Sequence, residues 1–277
     1  MKLLTLNTHS LAEADYDNKL RGFVSMVAEE QPHIIALQEV YQTCTAPEYK
    51  GALHGFVPCM DGTVIRDDNH ALAVAKLLRE EGLDYHWTWL SIKRGYGRFD
   101  EGIAVMSLSP ILETDVLTVS GVEDHENWKT RRIVGVRTAT LPDEWFFSVH
   151  YGRWDDVEEP FRAQWIRTAE HMTRYDHVWL LGDFNSPAEV SGEGHDLMKR
   201  SYWQDSYELA KVRDMGATVQ GAIDGWRDSC PDGMRIDQIW CNKMVVVTSS
   251  QVVFDGTKYP VVSDHYGVMI NYERSIV

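Results

Sequence analysis

The apolar run Val178-Trp179-Leu180-Leu181-Gly182 breaks at once into Asp183-Phe184-Asn185, and the same pattern recurs along the chain. Leu3 to Leu6 stops at Asn7, His33 to Leu37 stops at Gln38-Glu39, and Phe146 to Val149 stops at His150. Near the C-terminus, Ser263-Asp264-His265 precedes the run Tyr266 to Ile270. Short apolar runs bounded by polar residues predict buried strands. Strands whose ends carry acid, amide and imidazole constrain the chain to a layered α/β structure, with its chemistry gathered at those ends.

Helical signals fall between the strands. Leu20, Phe23, Val24 and Val27 recur at helical spacing, which predicts an amphipathic helix from Asp15 to Glu30, ended by Pro32. Asn69 is placed to cap a helix running to about Glu81, with Gly82 as its stop. Phe161, Trp165, Ala169 and Met172 share one helical face, and a further helix is expected near His195 to Tyr202. The remaining strand predictions are Tyr85 to Ile92, Gly102 to Met106, Val116 to Val119, Ile236 to Trp240, Val245 to Phe254 and Tyr266 to Tyr272. Arg132 to Thr140 and Glu144 to His150 read as a hairpin around Leu141-Pro142-Asp143. Tyr41 to Asp68, rich in turn residues, reads as a long loop. Neither a linker nor an internal repeat divides residues 1–277, so one domain is expected, with two mixed β-sheets packed together and helices outside.

Composition narrows the function classes. The net charge of -15 disfavours a protein that grips a long nucleic acid, because nonspecific binding to phosphates calls for a basic surface. No apolar run approaches the roughly 20 residues of a membrane span. Met1 to Asn7 turns polar too soon for an export signal, which places the chain in the cytoplasm by expectation. Cys44, Cys59, Cys230 and Cys241 lack metal-finger spacing and read as free thiols.

The strand-end residues suit phosphate chemistry. Among Asn7, Glu39, Asp183, Asn185 and Asp264, one or two carboxylates with an amide oxygen would suit a hard cation such as Mg²⁺. Asp183 and Asn185 form a carboxylate–amide pair. Asp237 interrupts an apolar strand; a buried carboxylate needs a partner, and either His265 or the adjacent Arg235 could provide one. His150 can bind a phosphate oxygen if a carboxylate keeps it protonated, and Glu101 is the candidate partner. Any one of these residues alone reads equally as a solvated strand end, an Asx-turn or a structural histidine.

In order along the chain, Leu6-Asn7-Thr8, Gln38-Glu39-Val40, Glu101-Gly102-Ile103-Ala104, Ser148-Val149-His150, Gly182-Asp183-Phe184-Asn185, Arg235-Ile236-Asp237 and Ser263-Asp264-His265 resemble the endonuclease/exonuclease/phosphatase superfamily. The resemblance implies a four-layer α/β/β/α sandwich and a metal-dependent hydrolase. It implies that Glu39, assisted by Asn7, holds Mg²⁺ or Mn²⁺, with Asp264 supporting the metal region. Asp183 would activate the attacking water beside Asn185, His265 held by Asp237 would face the scissile phosphate, and His150 held by Glu101 would contact a phosphate oxygen.

The branch is narrowed by Ser148-Val149-His150-Tyr151-Gly152. Abasic-site endonucleases carry a Tyr-x-Pro-Asn type segment there, whereas the histidine version is similar to the deoxyribonuclease-I, sphingomyelinase, inositol-phosphate phosphatase and deadenylase branches. Aromatic segments flank the motifs: Tyr85 to Trp89, Glu126 to Arg131, and Tyr151 to Trp154. Within them Trp128, Arg131, Arg153 and Trp154 are candidates for substrate binding, since aromatic faces pack on sugar rings and guanidinium groups grip phosphate. Core packing is the alternative for each tryptophan. These segments resemble bacterial sugar-phosphate phosphatases of the superfamily, so a small sugar phosphomonoester, such as a phosphorylated disaccharide, is the expected substrate. An intracellular nuclease or phosphodiesterase is the alternative.

Overall fold

The computed structural model describes residues 1–221 and 233–274; Cys230 lies outside them, and Cys44, Cys59 and Cys241 are free thiols. In chain order the elements are β1 (Lys2–Asn7), α1 (Tyr16–Glu30), β2 (Ile34–Thr43), α2 (His70–Glu80), β3 (His86–Gly95), β4 (Phe99–Ser107), β5 (Ile111–Thr118), β6 (Arg132–Thr138) and β7 (Trp145–His150). There follow α3 (Phe161–Met172), β8 (Val178–Asp183), α4 (Gly194–Arg200), β9 (Gln204–Asp205), α5 (Ser206–Leu209), β10 (Val212–Arg213), β11 (Asp237–Cys241), β12 (Val246–Val253) and β13 (Gly267–Glu273).

The strands form two mixed sheets, ordered β10-β12-β13-β1-β2-β4-β3 and β5-β6-β7-β8-β11-β9. Each sheet has a parallel pair at its centre, β1 with β2 and β7 with β8. These two pairs pack face to face, and their chain directions bring Asn7, Glu39, His150 and Asp183 to one end of the molecule.

Strand alternation produces three cores. Leu4, Leu37, Trp87 and Trp89 point outward from the first sheet onto α1 and α2, with Phe23, Val27 and Leu78. Leu3, Ile34, Ala36, Phe146, Trp179 and Leu181 point inward and meet between the sheets. Phe147, Val149, Leu180 and Trp240 face α3 through Phe161 and Trp165. Adjacent residues such as Leu3 and Leu4, or Leu180 and Leu181, thus serve different cores, as the two-residue period of a strand requires. The layers are α/β/β/α.

Local signals explain most boundaries. Asn69 caps α2, its side chain accepting from the Leu72 amide at 3.1 Å. Several strands run further than their apolar patterns predict, among them β2, β3, β4 and β5. β2 continues past Glu39 to Thr43, because a bulge interrupts its pairing with β4 between Leu37 and Val40 without ending the strand. β3 passes Ile92 to Gly95 through an irregularity between Ser91 and Lys93, then turns at Tyr96 (φ 48°) and Gly97 (φ 67°) into β4. Two consecutive positive φ values suit the right-handed twist of a tight hairpin. The Tyr85 to Trp89 segment is core rather than binding surface, with Trp87 and Trp89 fully buried against the helices.

Candidate active site

The second sheet builds one half of the site by register. His150 at the end of β7 is the parallel partner of Asp183 on β8, and Asp237 at the start of β11 is the antiparallel partner of Asp183. Three functional side chains therefore stand in one row across adjacent strands, all buried. Gly182 (φ 153°) makes that approach feasible: a Cβ there would lie 1.9 Å from the Val149 carbonyl oxygen. Past the strand, Asn185 takes φ 45°, a conformation asparagine tolerates better than most residues. Its amide N–H donates to Asp183 Oδ1 at 2.8 Å, and its Nδ2 donates to the Tyr151 carbonyl at 2.9 Å.

The first sheet supplies the facing half. Glu39 sits on the β2 bulge with φ 52°. Its carbonyl accepts from Ser10 Oγ at 2.6 Å and Thr8 Oγ1 at 3.1 Å, which fixes the bulge and turns the carboxylate into the cleft. Glu39 then accepts from Asn7 Nδ2 at 3.0 Å and from the Tyr41 hydroxyl. Asn7 Nδ2 also donates to Asp183 Oδ2 at 3.2 Å, so one amide links a carboxylate of each sheet. Gln38 adds a second tie, donating to Ser148 Oγ at 2.9 Å across the sandwich. Ser263 Oγ donates to the Asn7 carbonyl at 2.7 Å and accepts from the His265 amide at 3.2 Å, so the loop before β13 is latched to β1.

His265 Nδ1 lies 2.9 Å from Asp237 Oδ2. Arg235, the other candidate partner of Asp237, pairs instead with Asp205 at 2.7 Å. Burial works against charge on His265, but the carboxylate of Asp237 prevails and its pKa is pushed up to about 10. Burial and the neighbouring Asp237 push the Asp183 carboxyl up to about 7, near the optimum for a general base at neutral pH. Glu39 is held below the usual carboxylate range: against the cost of burial stand His9 and its hydrogen bonds from Tyr41 and Asn7.

His150 departs from expectation. Glu101 is engaged by Lys93, Oε1 to Nζ 3.3 Å, because the two are cross-strand partners on β4 and β3. The His150 Nε2 faces Asp183 Oδ2 at 3.5 Å instead, and its Nδ1 is buried without a hydrogen-bond partner. Burial and the cations Arg131 and Lys93 hold the imidazole well below its ordinary pKa, so it is neutral rather than protonated. Asp264 stands to one side with His9 and Glu13, its amide donating to Glu13 Oε1 at 3.1 Å. Burial raises its carboxyl pKa.

Glu39, Glu101, His150, Asp183, Asn185 and His265 line a cleft of about 580 Å³, whose wall also includes Tyr41, Lys93, Tyr96, Trp128, Arg131, Arg153 and Gln164. Trp128 is 63% exposed at the cleft. Trp154 is not on the cleft wall; it packs on Phe161 of α3. The sequence reading missed Lys93, Tyr41 and Tyr96. The β3 irregularity before Lys93 breaks the alternation that assigns residues a face, and Tyr41 lies beyond the β2 bulge, where the apolar pattern has already ended.

A hard divalent cation fits the donor set. Asp183 and Asp237 stand together with the His265 imidazole, the Asn7 amide joins Asp183 to the Glu39 carboxylate, and Asp237 Oδ1 is buried without a hydrogen-bond partner. Oxygen-rich clusters with excess negative charge are what such ions bind.

The model of the endonuclease/exonuclease/phosphatase family matches residues 4–265. The chain belongs to this family. It is a hydrolase. A family protein from Leptotrichia buccalis shares its structure with a TM-score of 0.87 and 27% identity, over 99% of this chain and 100% of that one. A mannosyl-6-phosphatase from Bacteroides thetaiotaomicron aligns with a TM-score of 0.68 and 16% identity, over 99% and 100% of the two chains. A 3'-5' exonuclease from Neisseria meningitidis aligns with a TM-score of 0.64 and 18% identity, again over 99% and 100%. A search of the curated proteins returned no match. No helix among the described residues is long and apolar enough to cross a membrane.

Proposed function

We propose that this family member hydrolyses a sugar phosphomonoester with the help of Mg²⁺ or Mn²⁺. The observation that carries the reading is the single amide of Asn7 joining Glu39 to Asp183, opposite the His265–Asp237 pair. Glu39 and Asn7 would hold the cation, which when bound would polarise a phosphoryl oxygen. Asp183 orients a water and takes its proton. The water oxygen bonds to phosphorus as the ester P–O bond breaks; the leaving oxygen keeps the electron pair and takes a proton from solvent to become the alcohol, and Asp183 returns the proton it took to solvent. His265, held charged by Asp237, stabilises the developing charge, and neutral His150 offers a hydrogen bond to a phosphoryl oxygen.

The cleft supports a sugar as the ester's alcohol part. Trp128 and Tyr96 present large exposed aromatic surface there, and about 580 Å³ accommodates a phosphorylated ring. Charges toward the solvent neutralise one another: Lys129 pairs with Asp156 at 2.9 Å, Arg153 with Asp155 at 3.4 Å and Arg94 with Glu126 at 3.0 Å. That rim, on a chain of net charge -15, suits a small anion better than a polyanion. The likeness to a mannosyl-6-phosphatase agrees with this reading.

Phosphate release from hexose and disaccharide phosphates should depend on Mg²⁺ or Mn²⁺, and Asp183→Asn should lower kcat by about 10² to 10⁴. Rapid cleavage of plasmid DNA, with no phosphate released from any sugar ester, would replace this reading with a nuclease.

A further inference from the structure

Two cations on the buried part of the cleft wall have no role in the hydrolytic cluster. Arg131 is only 9% exposed, its Nε is buried without a hydrogen-bond partner, and its guanidinium has no ion pair among the described residues. Its backbone is firmly placed just before β6. The Arg131 amide donates to Ser120 Oγ at 2.8 Å, and the Arg131 carbonyl accepts from the amides of Val119 at 2.9 Å and Ser120 at 3.3 Å. Lys93, 6% exposed, donates to the Trp128 carbonyl at 3.0 Å and shares Glu101. Glu101 pairs with Lys93, so this wall, shared with His150, Asp183 and His265, carries two buried cations and one paired carboxylate. A buried guanidinium left unpaired is costly, and a ligand anion that completes it removes the cost.

Resting on the phosphoester reading, we infer that Arg131, backed by Lys93, binds the non-bridging phosphoryl oxygen that a monoester possesses and a diester lacks. The monoester dianion has three such oxygens, and the diester monoanion has two. In a diester the third position is an uncharged oxygen bearing carbon, which cannot satisfy the guanidinium and carries bulk into a buried wall. Discrimination comes from leaving a buried donor unpaired with the wrong substrate. Arg131 is therefore a specificity determinant, and the cleft is set for monoesters.

Two measurements test this. By thermal shift, inorganic phosphate should stabilise the wild type more than dimethyl phosphate does, and Arg131→Ala should erase that preference while the protein stays folded by circular dichroism. In turnover, the ratio of kcat/KM for a hexose phosphate to that for bis(4-nitrophenyl) phosphate should fall about 10- to 100-fold in Arg131→Ala and partly recover in Arg131→Lys. Equal losses on both substrates, or an unchanged preference for inorganic phosphate, would overturn the inference. A wild type that turns over no ester would sink the phosphoester reading, and the binding comparison would still decide the role of Arg131.

Discussion

Three backbone positions with positive φ shape the chemistry at the level of single residues. Glu39 and Asn185 adopt left-handed conformations that point polar side chains into the cleft, and Gly182 removes the Cβ that would strike β7. The cost of the first two is offset by hydrogen bonds from Ser10 and Thr8 to the Glu39 carbonyl, and from the Asn185 amide to Asp183. Gly182 has no such compensation available if replaced. Gly182→Ala should force β8 away from Val149, destabilise the protein by about 2–4 kcal/mol and displace Asp183. Urea unfolding and kcat should fall together; a variant with the wild-type midpoint would show that the strands are free to separate.

Among the elements, the central parallel pairs matter most. β1 with β2, and β7 with β8, release their chains at the same end, so short polar tails from four strands converge without long loops. A clamp at the C-terminus of α1 secures this arrangement. Glu30 accepts from Lys2 Nζ at 2.7 Å, Lys258 Nζ at 2.8 Å and Tyr259 Oη at 2.6 Å, tying the start of β1 to the loop before β13. The hydrogen bonds from Lys2, Lys258 and Tyr259 lower the Glu30 carboxyl to about 2. With its folded pKa below its unfolded one, Glu30 contributes stability that is present above about pH 4.5 and lost as pH falls through about 2. Glu30→Gln should therefore cost about 1 kcal/mol at neutral pH, and the gap from wild type in urea midpoint should close on acidification. A gap that persists unchanged at pH 2 would rule the clamp out.

At the scale of the whole molecule, a strongly acidic chain carries a buried cluster of carboxylates that folding brings together against their repulsion. A cation that binds only the folded protein relieves that repulsion and stabilises by mass action. Mg²⁺ at about ten times its dissociation constant should raise Tm by about 2–5 °C, and Glu39→Gln should show no such rise. An equal rise in both proteins would remove Glu39 from the metal site. The layered plan was readable in the chain: Leu180 and Leu181 face different cores because strands alternate, and Asn69 starts α2 by its own side chain. What escaped sequence reasoning sits just past a bulge that resets the alternation, as at Tyr41 and Lys93, or where partners meet across the sandwich.

The sequence by itself determined where polar groups interrupt the apolar strands, and hence that acid, amide and imidazole groups gather at one edge of an α/β sandwich, because side-chain periodicity and turn chemistry are local. Only the tertiary structure decided the pairings: Glu101 with Lys93 rather than His150, Asp237 with His265 rather than Arg235, and the Arg131 Nε buried without a hydrogen-bond partner among the described residues. Those choices depend on strand register and burial. Register joins residues far apart in the chain, and burial sets which charges survive there.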